Sequence, residues 1–155
     1  MKDEAVVICL GNVYMKDDGV GIRVAEALRQ RGLGEGVSVQ EYQEMDLSLI
    51  EGFHVASKII FVDSVRGGRQ PGTVSKYAFL RREGTLTELP SLHGLKLSDV
   101  VDLAMNAGIL TCPVVIVGVE PKDDSVGFGL SPEVESALPE VIATVVKELS
   151  HPSAL

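Results

Sequence analysis

Three segments of this sequence place carboxylates directly after apolar runs. Asp63 follows Ile59–Val62 (IIFV). Asp17-Asp18-Gly19 comes shortly after the run Ala5–Leu10 (AVVICL) and the pair Gly11-Asn12. Glu120 follows Val114–Val117 and the pair Gly118-Val119. A carboxylate beside buried apolar residues needs hydrogen-bond partners, a helix end or a metal to offset its desolvation. His93, in Ser91-Leu92-His93-Gly94, adds a nitrogen donor ahead of a helical stretch. Two aspartates and one histidine make an O,O,N set that suits nickel, zinc, iron or manganese. Three protein ligands leave coordination positions open for substrate or water. Each residue also has an ordinary reading. Asp63 could cap a helix or accept loop hydrogen bonds, Asp17 or Asp18 could cap the helix that follows, and His93 could be a loop residue without chemistry. Adjacent side chains point in different directions, so at most one of Asp17 and Asp18 is expected to enter a site. His54 and His151 are assigned no catalytic role.

The elements that would position these residues alternate in type. Ala5–Leu10, Ile59–Val62 and Val114–Val117 read as strands buried on both faces. Val37 to Tyr42 reads as a short strand and Thr73 to Phe79 as an edge strand. Val20, Val24, Ala27 and Leu28 recur at helical spacing and stop at Gly32 and Gly34. Leu47, Ile50 and Phe53 suggest a brief helix capped by Asp46. Leu97, Val100, Val101 and Ala104 form another stripe, and Val134 to Leu149 a long terminal helix in which Pro139 is expected to introduce a kink. Residues 81–93 carry no periodic pattern and read as loop, and His151 to Leu155 as a frayed end. Alternating strands and helices imply an α/β sandwich with a mostly parallel or mixed central sheet. In such a sheet ligands bind beyond the carboxyl ends of the strands, where Asp18, Asp63 and Glu120 fall. Neither a repeat nor a linker interrupts the chain, so residues 1–155 are expected to form one domain.

Composition narrows the function. The chain has 155 residues, is 45% hydrophobic and carries a net charge of −8. That balance argues against nucleic acid or an anionic membrane as partner. The two cysteines show no CxxC or Cys–His zinc spacing and read as reduced core residues. The apolar run at the start is too short for a signal peptide or a membrane span, so a cytoplasmic protein is expected. There is no P-loop, GxGxxG, GxSxG or HExxH motif.

Taken together, Leu10-Gly11-Asn12 and Lys16-Asp17-Asp18-Gly19-Val20-Gly21 resemble the opening motif of the hydrogenase maturation proteases. The resemblance continues through Ile59 to Val65, Pro71-Gly72-Thr73-Val74, Ser91-Leu92-His93-Gly94 and Val117-Gly118-Val119-Glu120-Pro121. It closes with Gly129-Leu130-Ser131-Pro132-Glu133-Val134, so it spans about residues 6–149.

The resemblance implies a three-layer α/β/α sandwich of the phosphorylase/hydrolase-like kind. It also implies an aspartic-type endopeptidase that removes the C-terminal peptide of a nickel–iron hydrogenase large-subunit precursor. Carried over by motif, Asp18, Asp63 and His93 form the metal-binding and catalytic trio. The first ligand is glutamate in some members of the family, so Asp18 has a shorter reach. The nickel is expected to arrive with the substrate rather than as a resident cofactor. Glu120 and the Gly127–Gly129 loop are expected to line the peptide groove. A monomer is expected, because no long exposed apolar pattern demands an interface. The other readings are a non-cleaving checkpoint or chaperone for a metalloenzyme, a small-molecule metallohydrolase, and a purely structural domain.

Overall fold

The structure is a computed structural model that describes residues 5–79 and 96–150. Among these residues one sheet holds β1 (Ala5–Leu10), β2 (Val37–Tyr42), β3 (Lys58–Ser64), β4 (Val74–Phe79) and β5 (Val114–Val119), in the order β2-β1-β3-β5-β4. The pairs β1–β2, β1–β3 and β3–β5 are parallel, while β4 runs antiparallel to β5 at one edge. The helices are α1 (Val20–Arg31), α2 (Leu47–Glu51), α3 (Leu97–Asn106) and α4 (Pro132–Ser150).

The apolar runs become central strands because both faces of the sheet are covered. Period-two alternation sends Val6, Ile8, Ile59, Phe61, Val114 and Ile116 to one face, against Ile50 of α2 and Val100, Val101 and Ala104 of α3. Val7, Cys9, Ile60, Val62, Val115 and Val117 face the other way, against Val24 and Leu28 of α1 and Val141 and Val145 of α4. Two cores separated by one sheet make the three layers.

The helix signals operate as expected. Asp46 accepts the Leu49 N–H at 2.8 Å and starts α2. Gly32, at φ 78, ends α1. Pro139 lies inside α4, which runs as one element from Pro132 to Ser150. Its last turn is fastened to the sheet by Lys58, whose Nζ donates to the Glu148 carbonyl at 2.6 Å and lies 3.3 Å from the Glu148 carboxylate. Residues 81–93 and His151 to Leu155 lie outside the described residues.

The strand order creates one topological switch. From β1 the chain passes through α1 to β2 on one flank, then returns to place β3 on the other. The carboxyl ends of β1 and β3 therefore bound a crevice, the position where open α/β sheets bind ligands.

Candidate active site

Gly11 and Gly21 shape the first segment of the crevice. A Cβ on Gly11 would lie 2.2 Å from the Asp18 carbonyl oxygen. One on Gly21 would lie 2.2 Å from the Leu10 carbonyl oxygen and 2.9 Å from that of Val62. The absence of side chains lets the Lys16–Gly19 3-10 turn fold back over the end of β1 and lets α1 press against β1 and β3.

This turn separates the two adjacent aspartates. Asp17 is completely buried. Its carboxylate accepts the backbone N–H groups of Lys122, Asp123 and Ser131 at 2.9, 2.9 and 2.7 Å, and the Ser131 hydroxyl at 2.9 Å. Desolvation pushes its pKa up, but these donors outweigh it and hold the carboxyl below the usual range. Asp17 thus ties the β5–α4 loop to the segment after β1. Asp18 faces the crevice. Its Oδ2 accepts the Asn12 N–H at 3.0 Å and its Oδ1 accepts the Ser64 hydroxyl at 3.2 Å. Neither aspartate caps α1, whose N-cap is Gly19 with no side-chain hydrogen bond.

Asp63 stands near the end of β3, paired in register with Gly118 of β5. Its Oδ1 accepts the backbone N–H of Ser64 at 2.8 Å. Ser64 therefore holds both carboxylates, one through its hydroxyl and one through its backbone. Desolvation first, and the neighbouring Asp18 charge second, push the Asp63 pKa up to about 7, against the pull of the Ser64 N–H. The second of these causes reflects two carboxylates held close together, an arrangement that a proton or a divalent cation stabilises.

Each carboxylate lines a depression of its own. Asp63, Ser64, Arg66, Tyr77 and Leu97 line one, of about 510 Å³. Asn12, Met15, Asp18, Glu44 and Asp124 line the other, of about 430 Å³. Of the three site residues expected from sequence, Asp18 and Asp63 come together. His93 lies outside the described residues. Among the described residues no group of three or more His, Cys, Asp or Glu side chains is placed to hold a metal.

Glu120 does not line a groove. It is buried, and its Oε1 accepts the N–H groups of Gly67 and Arg69 at 2.8 and 3.2 Å, fixing the loop between β3 and β4. Both cysteines are buried and unpaired. Burial pushes the Cys9 thiol up to about 12 and raises that of Cys112, so neither forms a thiolate nucleophile near neutral pH. Ser64 escaped the sequence reading. Its only signal was its place directly after Asp63, at the end of a buried strand.

A family model described as hydrogenase maturation protease matches residues 22–148. The chain belongs to this family. It is accordingly a peptidase of the hydrogenase maturation kind, as its opening motif implies. The hydrogenase 2 maturation protease of Escherichia coli K12 is 26% identical over 146 residues, covering 93% of this chain and 89% of that protein. The structure of a hydrogenase 2 maturation peptidase from Thaumarchaeota archaeon SCGC_AB-539-E09 aligns with a TM-score of 0.71 at 26% identity, covering 96% of this chain and 99% of that one. The maturating endopeptidase HybD of Escherichia coli shares the fold with a TM-score of 0.76 at 24% identity, covering 94% of this chain and 91% of that one. The family match begins at residue 22, four positions past Asp18, and includes Asp63.

Proposed function

We propose that this maturation protease removes the C-terminal peptide from the large-subunit precursor of a nickel–iron hydrogenase, and that Asp18, Asp63 and His93 read the nickel the precursor carries. The observation that supports this most directly is the carboxylate pair held by Ser64 at the switch between β1 and β3. Two oxygen donors accessible from two depressions suit a transient contact to a metal already ligated by the substrate, because the substrate supplies the remaining ligands. The nickel is cargo of the substrate, not a resident of this chain.

Hydrolysis adds water across the peptide bond. One carboxylate takes a proton from the attacking water, and a proton is delivered to the departing amine. Two carboxylates placed together can share the work, one taking a proton while the other carries charge, which is the aspartic-type division of labour. His93 adds an imidazole, a side-chain type that serves either as metal ligand or as base. Cytoplasmic action fits a reaction on a newly metallated precursor, and no helix among the described residues is long and apolar enough to cross a membrane.

Mass spectrometry of a nickel-loaded precursor from the same source, incubated with this protein beside a nickel-free control, tests the reading. Loss of one defined C-terminal peptide only in the nickel-loaded sample is expected. Binding without cleavage would establish a checkpoint instead. Stoichiometric metal retained by the purified chain would point to a small-molecule metallohydrolase.

A further inference from the structure

Beside the Asp18 depression, two loops far apart in sequence raise an apolar ridge into solvent. Tyr14 is 62% exposed, Val126 79% and Phe128 76%. The Tyr14 and Phe128 rings meet edge to face with centroids 5.2 Å apart. The ridge is braced from below. Lys16 N–H donates to the Gly127 carbonyl at 3.1 Å, and Gly127 N–H to the Tyr14 carbonyl at 2.9 Å. Lys16 itself sits at φ 44, a left-handed conformation rare for a side-chain-bearing residue. Its Nζ lies 3.1 Å from Asp123. Large apolar side chains held rigid in water, instead of folding onto the core, mark a surface made to be covered. Tyrosine and phenylalanine on a fixed backbone supply contact area at low entropic cost.

Two features on the page identify the occupant. Met15, the residue after Tyr14, and Asp124, two residues before Val126, both line the same depression as Asp18, so the two loops that carry the ridge also border the site. Asp18, Glu44 and Asp124 border that depression; Asp124 is paired with Arg66 at 2.7 Å, so Asp18 and Glu44 leave the rim acidic, in a chain whose net charge is −8. Two copies placed ridge to ridge would bring like-charged rims together, which disfavours self-association. A partner that is apolar over the ridge and positively charged over the depression fits both halves.

Resting on the function proposed above, we infer that the Tyr14–Val126–Phe128 ridge docks an uncharged, apolar segment of the substrate protein next to the scissile peptide. The ridge holds the substrate while the carboxylate pair meets its metal-bearing part. It is a specificity surface, distinct from the residues that act on the peptide bond.

The test is the double variant Tyr14→Ser/Phe128→Ser, assayed on the nickel-loaded precursor with kcat and KM measured separately, beside the conservative Tyr14→Phe/Phe128→Tyr chain. The serine variant is expected to raise KM at least about tenfold with kcat within about twofold, and the conservative chain to restore KM. Its melting temperature should stay within about 2 °C of the parent, since both side chains are already exposed. A KM within about twofold of the parent, with cleavage intact, overturns this inference and leaves the proposed function standing. A parent chain that dimerises by light scattering, and a serine variant that does not, overturns it in favour of a second copy as occupant. A parent chain that processes no precursor removes the function and, with it, the inference.

Discussion

Asp17 and Asp18 occupy adjacent positions and have separate jobs. One is enclosed by four donors, the other open to the crevice. The sequence showed that only one of the two could enter a site, because neighbouring side chains diverge. It could not show what the other was for, because the donors to Asp17 come from residues 122 to 131, more than a hundred positions away. Asp63 was legible for a simpler reason: a carboxylate directly after four buried apolar residues has few inexpensive fates. Its raised pKa has a stability consequence. An acid with a folded pKa of about 7 and an unfolded pKa of about 3.9 favours folding while protonated in the folded chain. That contribution is complete below about pH 4 and is lost as pH rises through about 7. Asp63→Asn, which removes the charge, should therefore stabilise the metal-free chain at pH 8 by roughly 2–4 kcal/mol and change little at pH 4. Thermal melts at both pH values check this. The same variant should lose cleavage at least about a hundredfold. A variant that is no more stable at pH 8 than its parent would mean that Asp63 is already ionised without penalty.

At the scale of elements, most of the fold could be read from the apolar runs and helical stripes, because burial on both faces gives strands a continuous apolar signature. Pro139 was less legible. A proline removes one N–H from a helix and crowds the preceding turn, yet α4 continues through it, with Val134 and Ala137 before it and Val141 and Val145 after it all buried against the sheet. Tertiary packing outweighed the local penalty. The α1–sheet contact has the least slack. Gly21→Ala would place a methyl group within 2.2 Å of the Leu10 carbonyl, so α1 must move off the sheet. The expected cost is about 1–3 kcal/mol, read from urea unfolding. Because α1 follows directly on the turn carrying Asp18, activity should fall by more than that stability loss explains. An unchanged denaturation midpoint would show that the helix shifts freely.

For the whole molecule, the titrating groups pull in opposite directions. For Glu148, desolvation pushes the pKa up, but hydrogen bonds from Lys76 and Lys58 and their charges outweigh it and hold the carboxyl below its ordinary range. Asp17 is held low by its donors in the same way. Their contributions are present above about pH 4 and are lost on acidification. The Asp63 contribution fades from about pH 4 upward. The metal-free chain should therefore be most stable in acid solution, at about pH 4–5, and Asp63→Asn should move that maximum upward. Melting temperatures across pH 3–9 check both statements. Exposed apolar surface was not legible at this scale, because Tyr14 and Phe128 belong to loops that meet only after folding. The bonds from Asp17 to Ser131 span 114 positions, and they also fix the order of events during synthesis. Ribosomes release a chain from its N-terminus, so β1, α1, β2 and β3 can pair while Asp17 still lacks its donors. The crevice is completed only when the β5–α4 loop has emerged. Until that loop emerges, a nascent chain carries an incomplete site.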